Sequence, residues 1–293
     1  MIWRNPVTVK ELRSRMRGFR AFAVLMVYLG LVSGLALLIY ALRGASTANV
    51  AEGSTIGKTL FSGIFIGEML LACLIGPAFT SGAISGERER QTWDLLQMTL
   101  LKPRQIVMGK LGSAVAFLLL LLVASVPLQS LAFLMGGVTL AEIILGSVLL
   151  IVSTITFSAL GLFFSSGATR TLAATLVTYA ITLALLIGLP VIAMYALPVV
   201  SVFAVVGTST PSALEASLLF FGGFLICLHP IATAVATEIM LLGTGSPFFY
   251  TQVLSGGGSV PVPSPWIVHS ILYLGIAALL VALSVRRVGR PER

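Results

Sequence analysis

Charge is what this chain has least of. Its 293 residues include 18 Lys and Arg and 10 Asp and Glu, so 10% are charged, against about 25% in a soluble globular domain. So few charges cannot cover a water-facing surface of ordinary character, which excludes a typical cytosolic enzyme. Cysteine and histidine are scarce too, at two each. Cys73 and Cys227 both lie inside apolar runs, where they read as buried small hydrophobes rather than a bridge or a metal pair. Two histidines without a His/Cys/Asp cluster make no metal site. What is abundant is hydrocarbon: 57% of residues are apolar and the mean hydropathy is +1.05, which excludes a disordered chain. The composition is that of a polytopic membrane protein.

A spanning helix needs about 20 apolar residues. Six segments qualify: 21–42, 60–80, 111–135, 143–164, 172–197 and 266–285. These runs are continuous and lack apolar/polar alternation, so a strand-built barrel is set aside. A further stretch, 214–242, is broken by Gly222-Gly223 and by His229-Pro230 and carries Glu238 near its end. With six crossings, 16 of the 18 basic residues share one side, leaving Arg43 and Lys58 opposite. The positive-inside rule makes the rich side cytoplasmic, with both termini on it. A full crossing by 214–242 would move Arg286, Arg287, Arg290 and Arg293 outside, so that stretch reads as a broken or re-entrant outer segment. The net charge of +8 then belongs to a rim facing anionic membrane lipid rather than to nucleic-acid binding. The first apolar run exceeds a signal-peptide core, and no small-residue cleavage site follows it, so it reads as an uncleaved span.

Residues 1–20 form a cytoplasmic interfacial segment, and 21–293 a single transmembrane domain. Val9, Leu12, Met16 and Phe19 make one apolar stripe at helical spacing, flanked by Lys10, Arg13, Arg17 and Arg20. Such a helix lies in the interface with its cations at headgroup level. The loop 81–110 is the richest polar stretch. Ser85 or Gly86 opens a short helix there, Glu87 and Glu89 suit its first turn, Pro103 ends it, and a second helix enters the third span. Its charges (Glu87, Arg88, Glu89, Arg90, Asp94) and a protruding Trp93 suit docking onto a soluble partner, although a solvated helix with internal ion pairs fits equally well. Glu68, His229 and Glu238 fall within apolar segments and are candidates for a translocation path or a helix interface. His269 reads as interfacial. Glycine pairs Gly30/Gly34, Gly63/Gly67 and Gly109/Gly112 permit close helix contact. Gly53 to Thr59 imitates a P-loop, but three residues separate its glycines where the motif has four.

The run Asn5-Pro6-Val7-Thr8-Val9-Lys10-Glu11-Leu12-Arg13-Ser14-Arg15-Met16-Arg17 resembles the start of permease subunits of the type-2 ABC exporter family. The ordered blocks Ile84 to Glu89, Trp93 to Leu96, Pro103, Ile106-Val107 and Gly109-Lys110 resemble the same family. The resemblance implies an all-α fold: six transmembrane helices, an N-terminal amphipathic elbow, and a broken or re-entrant outer segment between helices five and six. It also implies that the 81–110 loop is a coupling helix, with Gly86, Glu87 and Arg88 at its start and Glu89, Arg90 and Trp93 following. His229-Pro230 stands where relatives often carry Asn-Pro.

The same resemblance implies a plasma-membrane exporter that dimerises with itself or a related permease. No cofactor is expected on this chain; ATP and Mg belong to a separate ATPase subunit. Two rival readings follow from the residues. An ion-coupled transporter would use Glu68, and a membrane-embedded enzyme would need a nucleophile–base pair at bilayer depth. The cargo is not legible.

Overall fold

The computed structural model describes residues 6–44, 53–98, 101–191, 212–253 and 258–290. Outside them lie Arg4, Asn5, 192–197 of the expected fifth span and Arg293, as do the side chains of Arg20 and Arg43. The helices are α1 (Pro6–Met16), α2 (Phe19–Gly44), α3 (Gly53–Thr80), α4 (Ser85–Glu89), α5 (Trp93–Gln97), α6 (Pro103–Leu134), α7 (Leu140–Gly167) and α8 (Thr171–Leu183). Helix α8 runs on through a π turn at Ala184–Gly188 to Val191. Then come α9 (Ser212–Leu228), α10 (Pro230–Thr244), strands β1 (Phe249–Val253) and β2 (Ser259–Pro263), and α11 (Pro265–Val288). Among the described residues six helices are long and apolar enough to cross a membrane: α2, α3, α6, α7, α8 and α11. The chain is a multi-pass α-helical membrane protein.

Several boundaries differ from expectation. The first helix ends at Met16 rather than near Arg20, because Gly18 adopts φ 99°, a left-handed conformation that stops a helix. The loop helices end earlier than expected, at Gln97, and Pro103 itself opens the second helix that enters the third span, since its missing N–H is no loss at a helix start. The loop helix is two short helices, parted by Gln91 at φ 57°. Gly53 to Thr59 lies in the first turns of α3, so the P-loop mimic is ordinary helix. The antiparallel β1–β2 hairpin was not foreseen; Trp266 Nε1 donates to Pro247 O at 2.7 Å and holds its base to α11.

Between helices in lipid, association rests on van der Waals packing and internal hydrogen bonds rather than on burial from water. Helix α7 is the centre. Phe65, Met69 and Cys73 of α3 meet Leu149, Leu150 and Phe157 of α7, with Tyr273 of α11 beside them. Small residues set the approach: a Cβ on Gly161 would collide with Thr80 Oγ1 and lie 3.1 Å from Pro77 Cα. Gly63 and Gly67 play that part against Ile39 and Leu35 of α2, as the pairing suggested. Gly30 and Gly34 do not, with nothing within 4 Å of an added Cβ.

Helices α9 and α10 meet at His229. Its Nδ1 caps α10 by accepting from Ala232 N at 2.9 Å, and its Nε2 lies 3.1 Å from Leu186 O beside the π turn. Two turns further along, the middle of α10 carries Glu238, which accepts from Ser62 Oγ at 2.8 Å and lies 4.0 Å from Lys58 Nζ. His269 is fully buried, not interfacial as the sequence suggested. Its Nδ1 is 2.8 Å from Cys227 O, while Tyr273 Oη donates to Leu228 O at 2.7 Å. The carbonyls freed where α9 ends are thus satisfied inside the protein, as an apolar surround demands.

Candidate functional site

The polar residues gather where the ends of α1, α3, α6, α7, α8 and α11 converge around α4. Helix α4 has only 5 residues and cannot stand alone. Its first amides are capped from another helix: Ile84 N and Ser85 N both donate to Ser165 Oγ of α7, at 2.9 and 3.0 Å. Three successive residues then tie it to different neighbours. Glu87 Oε1 accepts from Lys110 Nζ of α6 at 2.7 Å, and the same ammonium reaches Glu11 Oε1 of α1 at 3.3 Å. Arg88 Nη1 donates to Ser166 O and Ala168 O at 3.0 and 3.2 Å, placing a cation on the C-terminus of α7. Glu89 Oε2 accepts from Thr171 Oγ1 at 2.6 Å and Thr171 N at 3.2 Å, an acid at the N-terminus of α8. Those two bonds hold the Glu89 carboxyl below its ordinary range.

Lys110 is the keystone, at 3% exposure. A buried ammonium is tolerated only when paired, and here two carboxylates from different elements share it. Beside it Arg15 donates to Phe79 O at 3.0 Å, fastening α1 to the end of α3. Burial draws the Arg15 guanidinium below its usual value, and Glu11 opposes the shift.

The expected docking face is therefore turned inside out. Trp93 does not protrude: it is 2% exposed, packed among Ile84, Ile106, Val107 and Leu162, with the Arg88 guanidinium 5.4 Å from its ring centre. The left-handed Gln91 rotates α5 relative to α4 and sends the indole inward. Gly86 is half-buried, and an added Cβ would sit 3.7 Å from Thr171 Oγ1, an ordinary contact. What projects is Arg90, Asp94, Leu95 and Met98, the last two 66% and 82% exposed. Leu95 and Met98 were overlooked, though two apolar residues three apart in a polar loop are a legible signal. Ser165 was overlooked because nothing local marks a serine that caps another helix.

Lys10 and Arg13 of α1 and Arg17 just past its end are exposed, as are Val9 and Met16 of the apolar stripe and Phe19, which opens α2 instead. The face packed on protein is another one, Val7, Thr8, Glu11 and Arg15. Glu68 is fully buried and accepts a hydrogen bond from Gln129 Nε2 of α6. Ser153 Oγ lies 3.2 Å from His269 Nε2, the spacing of a nucleophile and its base. Both side chains are fully buried, and the ring's Nδ1 is held by the α9 terminus, so the pair reads as helix-end packing. Among the described residues no three His, Cys, Asp or Glu side chains cluster to hold a metal. No protein-family model matches the chain, and no curated protein matches it.

Proposed function

We propose that the chain is the membrane-spanning subunit of an ATP-driven exporter of the type-2 ABC kind. It dimerises, with itself or a related permease, and takes its power from a separate ATPase subunit that carries ATP and Mg. The observation that carries this reading is the wiring of α4. Residues 87, 88 and 89 bind three different spanning helices, and Lys110 adds α1. Force applied to the exposed side chains Arg90, Asp94, Leu95 and Met98 reaches α6, α7 and α8 together. A loop that served only as a connection would need none of these bonds.

On this reading the basic end is cytoplasmic by the positive-inside rule, in the plasma membrane. Helix α1 is the interfacial elbow, with Val9 and Met16 in lipid and Lys10 and Arg13, together with Arg17 just past its end, at headgroups. Helices α9 and α10 form a re-entrant pair on the outer side with its apex at His229, whose Nδ1 caps α10. Support comes from the start and the middle of α10, His229 near Leu186 and Glu238 near Lys58. Glu238 and Glu68 serve helix interfaces.

The test is reconstitution with a candidate ABC ATPase subunit that co-purifies with it. R90E and L95D/M98D alter exposed side chains, so the permease should fold and insert while ATPase association and transport-coupled hydrolysis fall at least about tenfold, as loss of a central apolar anchor does. Association and transport at the unmodified level would remove the coupling assignment. The competing ion-coupled reading draws on the buried Glu68 carboxylate, whose Oε1 has no hydrogen-bond partner. Gradient-driven transport without ATP, lost in E68Q, would select it.

A further inference from the structure

Between α6 and α11, open to the side of the bundle, lies a crevice of about 640 Å³, within the range of about 300–1,000 Å³ that holds small organic ligands. Its floor is made by α11. Leu274, Ala277, Ala278, Val281, Ala282 and Val285 recur at helical spacing along one face. Three of these six are alanines, and their missing side chains open a trough between Leu274 and Val285. Met108 and Leu111 of α6 and Ile155 of α7 form the opposite wall. From Leu274 to Arg286 the trough runs about 18 Å at the helical rise. The lining is apolar except at one end, where Arg104 and Arg286 stand on the two helices. That these helix ends adjoin is shown by Gly289, whose added Cβ would meet Pro103 Cγ at 3.4 Å. Both arginines are exposed, and neither has an ion-pair partner among the described residues.

An elongated apolar slot on membrane-spanning helices, closed by two guanidiniums at its end, has the shape and charge of one molecule class. We propose that it is a binding site for a single anionic phospholipid, with its phosphate between Arg104 and Arg286 and an acyl chain along the alanine trough. Guanidinium groups recognise phosphate oxygens through paired donors. A second copy of the chain is the poorer occupant, because a two-fold contact here would bring four guanidiniums to one level without an acid between them. The assignment rests on membrane embedding and not on the ATPase-coupled reading, so either can fail without the other.

The test uses the full chain purified in mild detergent, with lipid retention measured by native mass spectrometry and by thermal stabilisation. Phosphatidylglycerol and phosphatidylcholine of the same chains are the probes. One phosphatidylglycerol should be retained per chain, preferred over phosphatidylcholine by on the order of ten- to thirty-fold for two interfacial arginines. A278L/A282L fills the trough at surface positions and should abolish retention of both lipids. R104Q/R286Q should erase the headgroup preference while the acyl chain is still held. Equal retention of the two lipids by the unmodified protein overturns the site, as does full retention by A278L/A282L. Chain-to-chain disulfide formation by A278C in membranes assigns the crevice to a second copy and overturns it as well.

Discussion

Removing the charges that Lys110 joins provides a measurable account of the basic end. The ammonium is 3% exposed, while Glu11 and Glu87 are each 24% exposed. The two sides of the pair are therefore unequal. K110M leaves two carboxylates that can turn toward water, so its cost is that of the lost charge-assisted bonds, about 2–3 kcal/mol. E87Q removes the 2.7 Å contact and should cost about 1.5–2 kcal/mol, and E11Q, at 3.3 Å, under about 1 kcal/mol. The double E11Q/E87Q strands a buried ammonium with no anion and should cost about 3–5 kcal/mol, more than the two singles together. Adding K110M to that double removes the stranded charge and should recover part of the loss. The assay is equilibrium unfolding of the detergent-purified protein, followed by tryptophan fluorescence, with hydrogen exchange of the α4 amides as a local readout. Single effects that add to the double within about 0.3–0.5 kcal/mol, or a triple variant no more stable than the double, would refute the shared-ammonium argument.

Both His229→Asn and His229→Ala leave Leu186 O without its partner, but His229→Asn should keep the cap on α10 and lose about 1 kcal/mol, whereas His229→Ala loses the cap as well and should cost about 2 kcal/mol in the same unfolding assay. Glu68→Gln preserves an acceptor for Gln129 and should change stability by less than about 1 kcal/mol. Glu68→Leu strands the buried amide and should lower stability by about 1–3 kcal/mol, seen as a lower melting temperature in detergent. Gly161→Ala forces a methyl into Thr80 and Pro77 and should cost about 1–3 kcal/mol, while Gly30→Ala, with open space at its Cβ, should be neutral. Equal effects at the two glycines would show that α3 and α7 are not packed as described.

Much of the fold is legible because helix formation in hydrocarbon is a local problem. Each of the six runs was found by length alone, and the structure starts each of them earlier, as where Thr139 and Glu142 exchange hydrogen bonds in a local cap that starts α7. The break at His229-Pro230 was equally visible. The site was legible by position but not by orientation. The charges of the loop were correctly located, yet Glu87 and Arg88 turn inward with Trp93, and Leu95 and Met98 point out. Glu87 and Arg88 are turned by partners on α6 and α7, while α5 is parted from α4 by the left-handed Gln91, and glutamine carries no signal for such a conformation. His269 was misjudged for a related reason: the carbonyl it binds belongs to Cys227, 42 residues away.

Taken alone, the sequence determines that the chain is a bundle of membrane-crossing helices with its cations concentrated on one side. Scarce charge, apolar runs of spanning length and the satisfaction of backbone groups within each helix require that much. Tertiary structure decides which of the few charges are structural and which are offered outward. Lys110 lies 99 residues from Glu11 and Arg88 lies 78 from Ser166, and such pairings depend on how helices cross. In a low-dielectric surround an unpaired charge is so costly that those crossings settle where each charge can go.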